Sequence, residues 1–168
     1  MDEKFDYDFS GWATKNDIKC SDGRTIKRDA FAGDDGMIVP LVLEFNHLDV
    51  TNVLGRALLC NRPEGVYMYG KFNDTHKGMI AKAMVQSGEL SSLGIYAIGI
   101  KHDGMNVIRG SIKEVSLVAA PANPGAIIDY VVKSPNEHGC GTCNHFGKEI
   151  CQCCHAGNMW TAKEEAKL

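Results

Sequence analysis

Three side chains of the types that acyl transfer requires stand at the ends of apolar, strand-like runs. His47 follows LVLEFN, Ser92 precedes LGIYAIG, and Glu114 opens EVSLV. A hydrolytic nucleophile needs a hydroxyl or thiol, a base within hydrogen-bond reach to take its proton, and a third group to orient that base. Their separation along the chain is no obstacle, because strand ends dozens of residues apart meet in a β-rich fold. It is no proof either, since each of the three taken singly is more often a structural or surface residue.

Several other residues compete for these roles. Asp49, His76 and His102 are the runners-up as base or orienting group. His76 falls in the first turn of an expected helix and His102 in a KHDGMN turn, and both positions favour exposure. Ser116 is the rival nucleophile. Strict alternation along EVSLV puts Glu114, Ser116 and Val118 on one face, and Ser116 reads as a buried hydroxyl satisfied by backbone. Ser91 is left as a neighbour of Ser92.

The elements that must position these groups are mostly strands. DYDFSGWAT reads as an opening strand, and NDIKCSDGR as a loop. MIVPLVLEFNH is a short apolar run suited to a buried strand, with Pro40 marking an edge or an irregular start. VLGRALLCNRPEGVYMYGKFN reads as a β-hairpin turning over several residues, Asn61 to Gly65. A helix is expected from about Thr75 to Ser87, capped by Asp74 or Thr75 and closed by Gly88, with a stripe of Met79, Ile80, Ala83 and Met84. SLGIYAIGI, the KHDGMN turn and VIRGS form a second hairpin, followed by a separate strand, IKEVSLVAA, that stops at PANPG. There the two prolines remove donors, and Asn123 and Gly125 suit a turn.

The series GWATKND, RDAF, NHLDVTNVLGRA, GVYMYGKF, LSSLGIYAIG and IKEVSLVAAPANPGA resembles the tailed-phage prohead serine proteases, which share a fold with the herpesvirus assemblins. The resemblance covers roughly residues 5 to 132, and EVSLVAAPANPGA is its most specific motif. The histidine motif departs from the family pattern, because Leu48 stands between His47 and Asp49. Carried over, the resemblance implies Ser92 as nucleophile, His47 as general base and Glu114 as third member, with no cofactor for catalysis. A neutral imidazole takes a serine proton near neutral pH, and a carboxylate fixes its tautomer and stabilises the imidazolium. The resemblance also makes Arg109 and Arg56 candidates for the oxyanion hole, where the competing reading is an exposed surface charge.

The expected fold class is therefore α+β: a mostly antiparallel, β-barrel-like, herpesvirus-protease-like core with few helices, followed by a short cysteine-rich tail. The boundary falls at SPNEHG, giving a protease-like domain over 1–133 and a tail over 134–168. Five of the seven cysteines lie between Cys140 and Cys154. A C-x2-C pair offers two thiolates to a tetrahedral zinc, and among several choices that include His145, Cys153 and His155 the favoured ligand set for a structural zinc site is Cys140, Cys143, Cys151 and Cys154. The competing reading is a reduced, metal-free tail.

Composition narrows the partners. The 168 residues carry a formal net charge of -3 with 23% charged residues, so no basic excess argues for nucleic acid. No apolar run approaches the length of a membrane span, and MDEKFDYDFS is acidic where a signal peptide is basic. The expectation is a serine endopeptidase of capsid maturation, in the host cytoplasm and inside the immature capsid. It would cut the scaffolding region of the major capsid protein and itself, as a monomer or homo-oligomer. The alternative of a different class is an inactive scaffold or assembly protein of the same fold, with the tail as a zinc-binding interaction module.

Overall fold

A computed structural model describes residues 5–44 and 52–132. Contacts divide the chain into Met1–Val131 and Val132–Leu168, and every element below belongs to the first unit. Strands dominate: β1 Phe9–Lys15, β2 Thr25–Ile26, β3 Ile38–Leu43, β4 Val53–Arg62, β5 Gly65–Phe72, β6 Ser92–Asp103, β7 Asn106–Val118 and β8 Ile128–Val131. One α-helix, α1 His76–Ser87, is present among the described residues, together with a 3-10 turn at Ala32–Asp34.

The strands form one mixed sheet in the order β2-β7-β3-β4-β5-β1-β8, with β6 paired to β7 outside that path. Pairing is antiparallel except where β7 meets β2 and β3. The two ends of this open ladder touch at a short seam. Ser92 bridges Ile127, Leu93 N–H donates to Ala126 O at 2.9 Å, and Ile128 N–H donates to Ser91 O at 2.9 Å. The core is therefore an open mixed sheet rather than the barrel-like one expected, its ends linked among the described residues by this isolated bridge and two hydrogen bonds. Phe9, Leu41, Leu54, Leu59, Met68, Leu93, Ile112, Val115 and Leu117 are almost wholly buried and form its centre.

The hairpin β4–β5 forms where expected, but its connection is only Pro63–Glu64 rather than five residues. Strand pairing runs out to Arg62 opposite Gly65. The second hairpin is longer than the sequence suggests. VIRGS and IKEVSLV are one continuous strand, β7, because a bulge at Lys113, opposite Tyr96 and Ala97, shifts the register without ending the pairing with β6.

α1 starts and stops as expected. Thr75 accepts a hydrogen bond from Gly78 N–H at 3.1 Å, and Gly88 closes the helix in the left-handed region at φ 87°. Its buried face differs from the expected one. Gly78, Ala81 and Val85 are buried, whereas Met79 and Ile80 are about half exposed, at 47% and 48%. The helix sits too close for larger residues: a Cβ on Gly78 would lie 2.3 Å from Asn73 O and 3.1 Å from Leu54 O. Small side chains therefore face β4 and β5, and the methionine–isoleucine pair turns outward.

Gly11 is the comparable contact at the seam. A Cβ there would meet Ile127 O at 2.3 Å and Ile128 Cα at 2.7 Å, both backbone atoms. Gly11→Ala is expected to destabilise the fold by about 1–3 kcal/mol through overpacking, read as a lower urea midpoint at unchanged m-value.

Candidate active site

Cross-strand register fixes what surrounds Ser92. Opposite Ser92 stands Val118, opposite Gly94 stands Ser116, and opposite Tyr96 stands Glu114. Alternation places these six residues on one face of the β6–β7 ribbon. Leu93 and Ile95 face the other way with Leu117 and Val115 and enter the core. On the far side of β7, Val42 of β3 pairs with Ser116 and is itself buried.

Strand direction gathers three ends at one place. β3 runs parallel to β7 and β6 runs antiparallel to it, so Leu43 at the end of β3, Val118 at the end of β7 and Ser92 at the start of β6 share one end of the sheet. Glu44 N–H donates to Leu117 O at 2.9 Å as the chain leaves β3. Ser92 is half-buried, while Ser91 is exposed and lies before the strand, its carbonyl held by Ile128.

Ser116 is fully buried, at 0% exposure, and its Oγ has no hydrogen-bond partner among the described residues. The expected backbone partner is not there, because the ladder carbonyls lie along the sheet while the side chain stands perpendicular to it. Its burial also removes it as a rival nucleophile, since no substrate carbonyl reaches an inaccessible hydroxyl. Glu114 is half-buried and lies on the same face as Ser92. Four residues separate Glu114 from Val118, which faces Ser92, or about 13 Å along the strand. Ser116 lies half that distance away.

Asn123 is a supporting residue that the turn reading of PANPG did not reveal. It is 6% exposed, and its Nδ2 donates to Thr14 Oγ1 at 2.9 Å and to Lys15 O at 2.8 Å, while its Oδ1 accepts from Gly125 N–H at 2.9 Å. These bonds tie the turn after β7 to β1, and so set Ala126 and Ile127 against Ser92. An asparagine between two prolines signals a turn in sequence; its long-range partners are not encoded locally.

Other expected residues lie elsewhere. Arg109 is exposed and pairs with Lys101 in the distal half of the hairpin, nine residues from Val118 and so about 30 Å from Ser92. That removes it from any oxyanion hole at Ser92. Arg56 is exposed on β4, with its guanidinium 5.6 Å from the Phe5 ring centre. His76 and His102 are exposed. Burial pushes the Cys20 and Cys60 thiols up, which makes both poor nucleophiles. Among the described residues no three His, Cys, Asp or Glu side chains gather as metal ligands. His47 and Asp49, and the tail residues Cys140, Cys143, Cys151 and Cys154, lie outside the described residues.

No family model matches the chain, and no curated protein matches it in sequence. A solved structure similar to it is that of the KSHV protease in complex with a hexapeptide phosphonate inhibitor, at 13% identity and a TM-score of 0.53. The match covers 75% of this chain and 65% of that one. The fold is therefore herpesvirus-protease-like, and the chain spans about two thirds of that neighbour's length.

Asn123→Ala leaves the Lys15 carbonyl without its side-chain donor and should lower stability by about 1–3 kcal/mol. Amide exchange at Leu93 and Ile128 should accelerate selectively, while exchange across β4–β5 stays slow. Uniform acceleration across all strands would contradict the clamp.

Proposed function

We propose that the chain is a serine endopeptidase of phage capsid maturation, with Ser92 as nucleophile and His47 as general base. The observation that carries this reading is the convergence of the start of β6 with the ends of β3 and β7 in a herpesvirus-protease-like fold. Four residues separate Leu43 from His47 in sequence, a span that extended chain covers in about 14 Å. The neighbour's protease character, and the prohead-protease motifs from GWATKND to PANPGA, point the same way.

In this reaction Ser92 Oγ attacks the scissile carbonyl as His47 takes its proton, and the imidazolium then protonates the leaving amine. Water, deprotonated by the same imidazole, hydrolyses the acyl-enzyme. A third group on the Ser92 face orients the base; the sequence expectation for it is Glu114. The substrates are the scaffolding region of the major capsid protein and the chain itself, cut inside the immature capsid. In the tail, Cys140, Cys143, Cys151 and Cys154 hold a structural zinc; metal analysis of reduced, purified protein that finds no zinc removes this assignment.

Co-expression with a capsid protein carrying its scaffolding region tests the reaction. Ser92→Ala and His47→Ala should each reduce cleavage by at least about a thousandfold. Cleavage by Ser92→Ala at the parent's rate would rule out the nucleophile. A soluble, folded parent that never cleaves would favour an inactive assembly protein of the same fold.

A further inference from the structure

The seam holds only the start of β6. Beyond Leu93 the strand keeps β7 on one side and has no strand partner on the other among the described residues. Leu93 N–H points to that second side, toward Ala126 O, so alternation along an antiparallel pair turns Ile95 N–H and C=O the same way. Neither has a backbone partner there among the described residues. The gap is a cavity of about 120 Å³. Its lining includes Ile95 and Ala97 of β6, Thr14 of β1 and Asn123 of the turn after β7, together with the buried Ile26 and Phe31.

This lining selects for an uncharged guest. Asp22 and Arg24 are its charged members, and they satisfy each other: Arg24 Nε donates to Asp22 Oδ2 at 2.9 Å and a terminal nitrogen of the same guanidinium lies 2.7 Å from it. No lining cation is left over for an anion, and burial penalises an unpaired charge. The apolar wall favours a hydrocarbon body. An engineered apolar cavity of about 150 Å³ binds benzene, which sets the size of a guest here at about six or seven heavy atoms.

The polar part of the guest follows from unused donors. Thr14 is 1% exposed, and its Oγ1 accepts from Asn123 Nδ2 at 2.9 Å, but its own hydrogen has no acceptor among the described residues. Ile95 N–H is a second donor in the same lining. A buried donor left unmade is costly, and an uncharged acceptor oxygen of the ketone, ester or amide kind removes that cost.

We propose that this cavity is a binding site for a small uncharged molecule with an apolar body and one acceptor oxygen. The inference goes beyond the peptidase reading and does not rest on it. The occupant touches Ile95 and Ala97 on β6 and Asn123 on the turn, so it spans the gap and opposes opening of the seam at Leu93.

The test titrates cyclohexanone, an uncharged ring with one acceptor oxygen, into the full chain under reducing conditions. Amide shifts at Ile95, Ala97 and Asn123 should saturate with a Kd of roughly 1 mM, and amide exchange at Leu93 should slow. Cyclohexanecarboxylate, the same ring carrying a charge, should produce neither effect. Thr14→Val, which keeps the shape and removes the donor, should weaken binding roughly three- to tenfold. Ala97→Leu should fill the cavity and abolish the shifts; Ala122→Leu, at an exposed position of the lining, should do the same and is read instead if the first variant does not fold. Absence of saturable shifts, equal binding of the carboxylate, or binding that survives the filling substitutions overturns the site. Undiminished binding to Thr14→Val overturns the role of the hydroxyl, and saturable binding with unchanged exchange at Leu93 overturns the link to the seam.

Discussion

The arrangement depends on how β7 is paired between Val115 and Val118. That stretch is bonded on one side to β6, antiparallel, and on the other to β3, parallel, and all four of its residues are buried. A parallel neighbour and an antiparallel neighbour on the same strand force opposite chain ends to one place. The start of β6 and the end of β3 therefore meet where β7 stops, although some fifty residues of chain lie between them. Val115 and Leu117 hold the ribbon down through the core face. A one-residue slip of β6 would send Ser92 and Gly94 to the core side and Leu93 to the other, and Leu93, at 0% exposure, anchors against that slip.

The second constraint is the seam. The ladder alone leaves the start of β6 with a partner on one side only, and an unpaired edge frays readily. Ala126, Ile127 and Ile128 supply the missing side, and they arrive there through the turn that Asn123 ties to Thr14 and Lys15. Trp12 N–H in turn donates to Ile127 O at 2.9 Å, at the point where Gly11 allows β1 to come close. The backbone that mounts Ser92 is thus held by groups more than a hundred residues apart in sequence, with each link made through backbone or a buried amide.

Local chemistry was legible in the sequence where it is sufficient in itself. Thr75 and Gly88 bound α1 because capping needs only neighbours in the chain, and the β4–β5 turn appears where Pro63 and Gly65 require it. What depends on distant partners was not legible. Met79 and Ile80 look like a core stripe until Gly78 shows that β4 and β5 are too close for them. VIRGS and IKEVSLV look like two strands because nothing in either reveals that β6 pairs along both. The same division runs through the site. The face shared by Glu114, Ser116 and Val118 follows from alternation, but the position opposite Ser92 depends on register, and register depends on the whole ribbon.

Ser116 shows why register matters to chemistry. On pattern alone, a serine inside EVSLV is an ordinary strand hydroxyl that some carbonyl will satisfy. In the fold the ladder carbonyls lie along the sheet and not on its face, and the hydroxyl remains unpartnered among the described residues. Alanine there would remove a desolvation cost of about 1–3 kcal/mol, and valine would suit the strand better. A sequence tuned only for stability would therefore have little reason to place a hydroxyl at this position, two residues along β7 from the partner of Ser92.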